Sequence, residues 1–284
     1  MHRYVYVGNR PTRYVDPLGL YEWDPTLGGD RTDPQLRESA DAGEINRGEA
    51  ERTIKRRDAF RDSLRKASET AESLPEGSSE RRELERSVQA YGEEGKPIRT
   101  TRIEPDTPGA SAIVVTENVA VGVGELEEGI AGRASAMEPS FDESFRFGVR
   151  VTIDTAVIDR GGDQLSTTVA HEGTHASNRA AYQRRGIEQQ LGLDRLEGAP
   201  DTEALDKTRH QDELEAYRVT HTMLRARRAG KTGNGSTVVW DPGWERLPPR
   251  LQERKRDEAI NEVLKRPPYR VSPENPGERF SEGR

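Results

Sequence analysis

Five residues carry the strongest chemical signal in the chain: His171-Glu172-Gly173-Thr174-His175, an HExxH pattern that uses two of its five histidines. On a helix, positions four apart project from one face, so both imidazoles reach a single metal ion. Glu172 lies beside them, placed to work on a metal-bound water. At 100° per residue the three side chains fall within an arc of about 100°, with Leu165, Thr168 and Ala176 near its edges. The reacting groups are therefore expected to face the interior.

A catalytic zinc needs a third protein ligand and one open position. Downstream, Asp212-Glu213-Leu214-Glu215-Ala216-Tyr217 offers two carboxylates on one predicted helix. Tyr217, Thr220, Met223 and Leu224 lie within about 80° of Glu213, which places that carboxylate on the apolar face, whereas Glu215 lies about 200° away beside Arg218, Thr222 and Arg225. A buried carboxylate is costly unless it is paired or bound to a metal. Glu213 is the expected third ligand, with Glu215 its rival or a supporting group. For an oxyanion donor, Tyr217 and His221 are the nearest candidates on the same helix, and His210 is less well placed. The competing reading of each is ordinary: a core tyrosine and polar surface histidines.

With these residues, the segment from about 145 to 229 resembles zinc metallopeptidases of the gluzincin type, in which HExxH is followed by a glutamate on a later helix. The ELEAY stretch at 213–217 is similar to the ExxAY or ExxAD stretch of such enzymes. The resemblance implies zinc held by His171, His175 and Glu213, and Glu172 as general base in peptide-bond hydrolysis. No third histidine follows in the manner of HExxHxxGxxH, because the next residues are Ala176-Ser177-Asn178-Arg179.

The elements that must position these groups follow from patterning. In 145–158, Phe145, Phe147, Val149, Val151 and Ile153 share one parity and Arg146, Gly148, Arg150, Thr152 and Asp154 the other, which predicts a strand with one buried face. This strand is either an edge to which a substrate peptide adds or an interior strand. A second strand is expected within 111–123 and a short one at 237–240. A turn at 159–163 leads into the site helix, with Asp163 as its N-cap. Further helices are expected near 186–192, 210–229 and 246–265. Residues 34–110 read as charged, solvated helices broken near Pro75-Glu76-Gly77, and 21–33 as a linker. Residues 267–284, rich in Pro, Gly and charge, read as a disordered tail. The expected fold is α+β: a small mixed or antiparallel sheet against the HExxH helix and a ligand-bearing helix, within a metallopeptidase domain at 111–266.

The first twenty residues carry a different signal. Pro11 and Asp16-Pro17-Leu18-Gly19-Leu20, preceded by YVYVGNRPTRYV, resemble the PxxxxDPxGL signature that closes the core of bacterial RHS-repeat proteins. That resemblance implies a cocoon-like shell, self-cleavage just after Leu20 with Asp16 belonging to the processing step, and a C-terminal toxin delivered to a neighbouring cell. Its implied partners are a target-cell protein substrate, a cognate immunity protein, a secretion-system adaptor and the RHS shell. The implied route is synthesis in the bacterial cytoplasm and delivery without a classical signal peptide.

Composition sets outer limits. The 284 residues are 31% hydrophobic and 33% charged, with a net charge of −7, which removes the general attraction that nucleic-acid binding needs. The absence of cysteine excludes thiolate metal sites, disulfides and cysteine nucleophiles. No stretch approaches the roughly 20 apolar residues of a membrane span. Two alternatives to the peptidase stay open: a non-enzymatic RHS tip that binds a partner and holds no metal, and a zinc amidase acting on cell-wall material.

Overall fold

The computed structural model describes residues 21–92, 99–103, 113–141, 145–190, 206–226, 243 and 246–282. Asp16, Leu20 and the strand expected at 237–240 lie outside the described residues. The fold is α+β, with strands β1 (Glu22–Trp23), β2 (Arg99–Ile103), β3 (Ile113–Gly124), β4 (Gly132–Ala136), β5 (Ser140–Phe141) and β6 (Phe145–Asp154). The helices are α1 (Asp33–Asp41), α2 (Arg47–Ser73), α3 (Ser79–Gln89), α4 (Thr155–Arg160), α5 (Gly162–Gln190), α6 (Arg209–Ala226) and α7 (Pro249–Leu264). No described helix is long and apolar enough to cross a membrane.

The sheet is mixed and four strands wide. β3 and β6 run parallel at its centre, with Val119 opposite Val149 and Val121 opposite Val151. β1 (parallel) and β2 (antiparallel) share the outer side of β3, while β4 and β5 lie antiparallel on the outer side of β6. The period-two pattern of 145–154 is thus realised in an interior strand, paired on both sides. Odd positions of β6 are buried, as the alternation requires. Gly148 is buried as well, on the opposite parity, because a Cβ there would lie 1.9 Å from the Asn118 carbonyl of β3. The strand ends four residues earlier than its apolar run suggests. Asp154 caps a new helix there, its Oδ1 accepting from the amides of Ala156 and Val157.

Helices α2, α3 and α5 pack together, and α5 also contacts β4, β6 and α6. Along α5, Leu165, Val169, Ala176 and Ala180 enter the main core with Val121, Val151 and Ile153. The motif's central glycine serves this packing: a Cβ on Gly173 would lie 2.3 Å from the Ser87 carbonyl of α3. Two side chains of the 87–91 region clamp the same stretch of α5, Ser87 Oγ donating to the Ala170 carbonyl and Tyr91 Oη donating to that of Val169. The site helix runs unbroken to Gln190, so no separate helix begins near 186.

Three expected boundaries are corrected. Residues 21–33 are not a linker: Tyr21, Trp23 and Leu27 are buried in the main core, where Tyr21, Trp23 and Phe60 meet edge to face. Turn-forming residues dominate the composition of that segment, but its few apolar side chains decide its place. The helices of 34–91 are likewise not a solvated appendage. Phe60, Ala67, Leu84 and Tyr91 are buried, and so is Arg57, which donates to the carbonyls of Leu27, Gly29 and Arg31 and to Asp33. These four hydrogen bonds from one guanidinium satisfy a turn that has no regular ladder. Nor are residues 267–282 a disordered tail. Val271 is buried against Ile260 and Leu264, and Thr208 bridges to Arg279. The amides of Arg209 and His210 donate to the Glu278 and Pro276 carbonyls.

Candidate metal centre

α5 presents its second face to a cleft of about 670 Å³. Gln164, Thr168, His171, His175 and Arg179 line this side, following the 3.6-residue period, and Glu172 is reached from it. Strand β4 forms one wall, the start of α6 another, and the C-terminal segment around Tyr269 and Arg279–Phe280 a third.

His171, His175 and Glu213 converge there as a group that could hold a metal ion. His171 Nε2 and His175 Nε2 are 3.2 Å apart, and they lie 3.6 and 3.5 Å from Glu213 Oε2. A four-coordinate ion with bonds of about 2.0–2.1 Å has ligand atoms separated by about 3.3–3.4 Å, so this triangle has the size of one tetrahedral face. The outer nitrogens explain which ring atoms face inward. His171 Nδ1 lies 3.1 Å from Thr220 Oγ1, which in turn donates to the Ala216 carbonyl. His175 Nδ1 lies 2.8 Å from Asp212 Oδ2, a short but bent ion contact. With protons on both Nδ1 atoms, two Nε2 lone pairs face each other and a buried carboxylate oxygen that has no hydrogen-bond partner among the described residues. Such an arrangement is repulsive until a cation neutralises it.

The electrostatics agree. Burial alone would lower the His175 pKa, but Asp212 and Glu213 outweigh it and hold the imidazole well above its ordinary value. Burial alone would raise Glu213, but His175 and His171 outweigh it and hold the carboxyl well below the usual carboxylate range. Both shifts favour a positive charge among these three groups.

Glu172 is buried, and burial raises its pKa against the lowering effect of the two histidines. Its Oε2 has no hydrogen-bond partner among the described residues. Gly132 of β4 makes room for it: a Cβ on Gly132 would lie 2.6 Å from Glu172 Cγ and 2.8 Å from Oε1.

The structure sorts the other expected residues. Glu215 turns away from the histidines toward Lys207, Arg86 at 3.2 Å and Asn178 at 3.1 Å. Tyr217 lines the cleft, its ring edge-on to His171 at 4.8 Å, and its hydroxyl donates to Tyr269 Oη at 2.7 Å. His221 does not line the cleft. It is buried among Arg225, Arg256, Asp257 and Glu80, where burial first and the two arginines second push its pKa down to about 4. His210 contacts Asn261 Oδ1 at 2.7 Å, away from the histidine pair.

Two contributors escaped the sequence reading. Asp212 precedes Glu213 by one residue and so lies about 100° around the helix, on the side that meets His175. The requirement of a metal-bound histidine for a carboxylate on its other nitrogen is the signal that could have found it. Tyr269 had no such signal, since nothing local ties a tyrosine after two prolines to a site on another helix. No known protein family model, curated protein or solved structure matches the chain.

Proposed function

We propose that this chain is a zinc-dependent metallopeptidase that cleaves a target-cell protein, delivered as the C-terminal toxin of an RHS-type protein. The observation that carries the reading is the 3.2–3.6 Å triangle of two imidazole nitrogens and one carboxylate oxygen, with buried Glu172 beside it in an open cleft. His171, His175 and Glu213 would hold zinc, which when bound polarises a carbonyl and lowers the pKa of water. Thiolates are absent and the donors are imidazole and carboxylate, a set that suits zinc.

The chain's own residues supply the rest. Glu172, raised in pKa by burial and kept in place by the missing side chain at Gly132, accepts a proton at a carboxylate oxygen and returns it to the leaving amine. The Tyr217 proton is directed to Tyr269, so the Tyr269 hydroxyl is the group left to donate to an oxyanion. Burial and neighbouring acids push its pKa far above the ordinary phenol value, which keeps that proton on at neutral pH. The site for strand addition is β4, not β6: among the described residues β4 pairs only with β6, and residues 132–136 border the cleft.

The test compares wild type with His171→Ala, Glu213→Ala and Glu172→Gln. About one zinc per chain in wild type and Glu172→Gln, lost in the two ligand variants, with peptide hydrolysis in wild type alone, is the expected result. A well-folded wild type that takes up no metal refutes the reading and favours a partner-binding tip. Zinc uptake with lysis of cell-wall material and no protein cleavage would make it an amidase.

A further inference from the structure

We propose that the end of the cleft beyond His175 is a carboxylate-binding subsite, built from Arg179, Arg209 and Arg279 on a Phe280 platform. Through it the substrate presents an acidic side chain or a chain terminus beside the metal centre. The peptide nature of that substrate rests on the function proposed above; the subsite itself does not.

All four residues line the cleft, and they come from three separate segments. Arg179 follows His175 by one helical turn, so it projects from the same face of α5. Its guanidinium lies over the Phe280 ring at 5.1 Å. Arg209 opens α6 and is tied to the C-terminal segment by the hydrogen bond that its amide donates to the Glu278 carbonyl, while Arg279 is held by the bridge to Thr208.

The acids nearby do not neutralise this cluster. Asp212 Oδ2 is 4.0 Å from Arg179, but that carboxylate already faces His175 and accepts from Asn178. Among the described residues no ion pair joins a carboxylate to the side chain of Arg209 or Arg279, although exposed Glu278 also lines the cleft. The Arg279 side chain donates to the backbone carbonyl of Asp206, and its amide donates to Glu282 Oε2. Arg179 Nε has no acceptor among the described residues, while 34% of the side chain stays exposed. A planar guanidinium is matched by a carboxylate that takes two N–H groups at once. In a chain of net charge −7, three arginines gathered at one end of a cleft select for negative charge at that point.

The test uses zinc-loaded protein and short peptides that carry Glu or Gln, each ending in a free carboxylate or an amide. Cleavage is followed with wild type, and binding to Glu172→Gln by fluorescence anisotropy. A preference of about tenfold to a hundredfold for the carboxylate form is expected, the range of one charge-assisted hydrogen bond. It should collapse in Arg209→Gln and Arg279→Gln, recover in part with lysine, and leave zinc content unchanged. Preference for Glu in amide-capped peptides assigns the subsite to a side chain; preference for the free acid assigns it to a chain terminus. Equal binding and cleavage of all four peptide types overturns the inference while leaving the peptidase standing. Carboxylate-selective binding without any cleavage keeps the subsite and removes the peptidase.

Discussion

Replacing Asp212 with Asn changes no volume and removes one charge, yet the surroundings allow no neutral accommodation. Asp212 Oδ2 faces His175 Nδ1 at 2.8 Å, and Oδ1 accepts from Asn178 Nδ2 at 2.8 Å. Both oxygens serve donors, and an asparagine has only one oxygen. If that oxygen stays on His175, the new amide group meets the Asn178 amide, a clash of donors in a site where Asp212 is only 3% exposed. Turning the Asn178 amide over relieves the clash but breaks its bond to Glu215 Oε2 at 3.1 Å. The loss has two parts: a charge-assisted contact becomes a neutral one, about 1–1.5 kcal/mol, and a buried polar group is left poorly paired, about 1 kcal/mol or more. Together they weaken zinc binding by about tenfold to a hundredfold, the range seen when such supporting carboxylates are removed from other metal sites. Chelator-competition titration measures this directly, with circular dichroism to establish equal folding. Glu215→Gln is the control, because Glu215 touches Asn178 but neither histidine. An affinity within twofold of wild type in a folded Asp212→Asn protein, or an equal loss in the control, would refute the reasoning.

Four other outcomes are expected. Gly173→Ala should destabilise by about 1–3 kcal/mol in urea denaturation despite a helix-propensity gain of about 1 kcal/mol, because its Cβ meets the Ser87 carbonyl at 2.3 Å; a more stable variant would show that α3 does not clamp the site helix. Arg57→Leu should cost about 3–5 kcal/mol by the same measurement, since it strands three carbonyls and leaves Asp33 with Arg61 alone. His221 has its folded pKa depressed to about 4, so the unfolded chain binds the extra proton between roughly pH 6.5 and 4. Stability present above pH 6.5 is therefore lost as pH falls through this window, by up to about 3 kcal/mol, and His221→Gln should flatten that slope in pH-dependent melts. Zinc uptake at pH 7 should release a proton from His175, whose pKa is raised; calorimetry in buffers of different ionisation enthalpy reads the proton count, and affinity should fall about tenfold for each unit of pH lowered.

The parts of this protein that local geometry governs were legible beforehand. A helix repeats every 3.6 residues and a strand every two, so the arc of His171, Glu172 and His175, the inward parity of β6 and the apolar side of Glu213 could be placed without any neighbour in view. The α+β class followed from the same periods. The helix break between Ser73 and Ser79 was marked by Pro75 and Gly77. Composition misled where a few side chains outweighed many. Tyr21, Trp23 and Leu27 draw a turn-rich stretch into the core, and Tyr269 and Val271 do the same for a Pro- and Gly-rich one. In each case burial of apolar area outweighs the local preference of the residues around it.

Other features were never encoded locally at all. That Asp212 faces His175, that the Tyr217 hydroxyl donates to Tyr269, that Gly132 leaves space for Glu172 and that three arginines from distant segments line one cleft depend on contacts between elements far apart in the chain. Spacing along one helix says which side chains share a face. It cannot say what stands opposite that face, because packing is decided by the summed burial of every element at once.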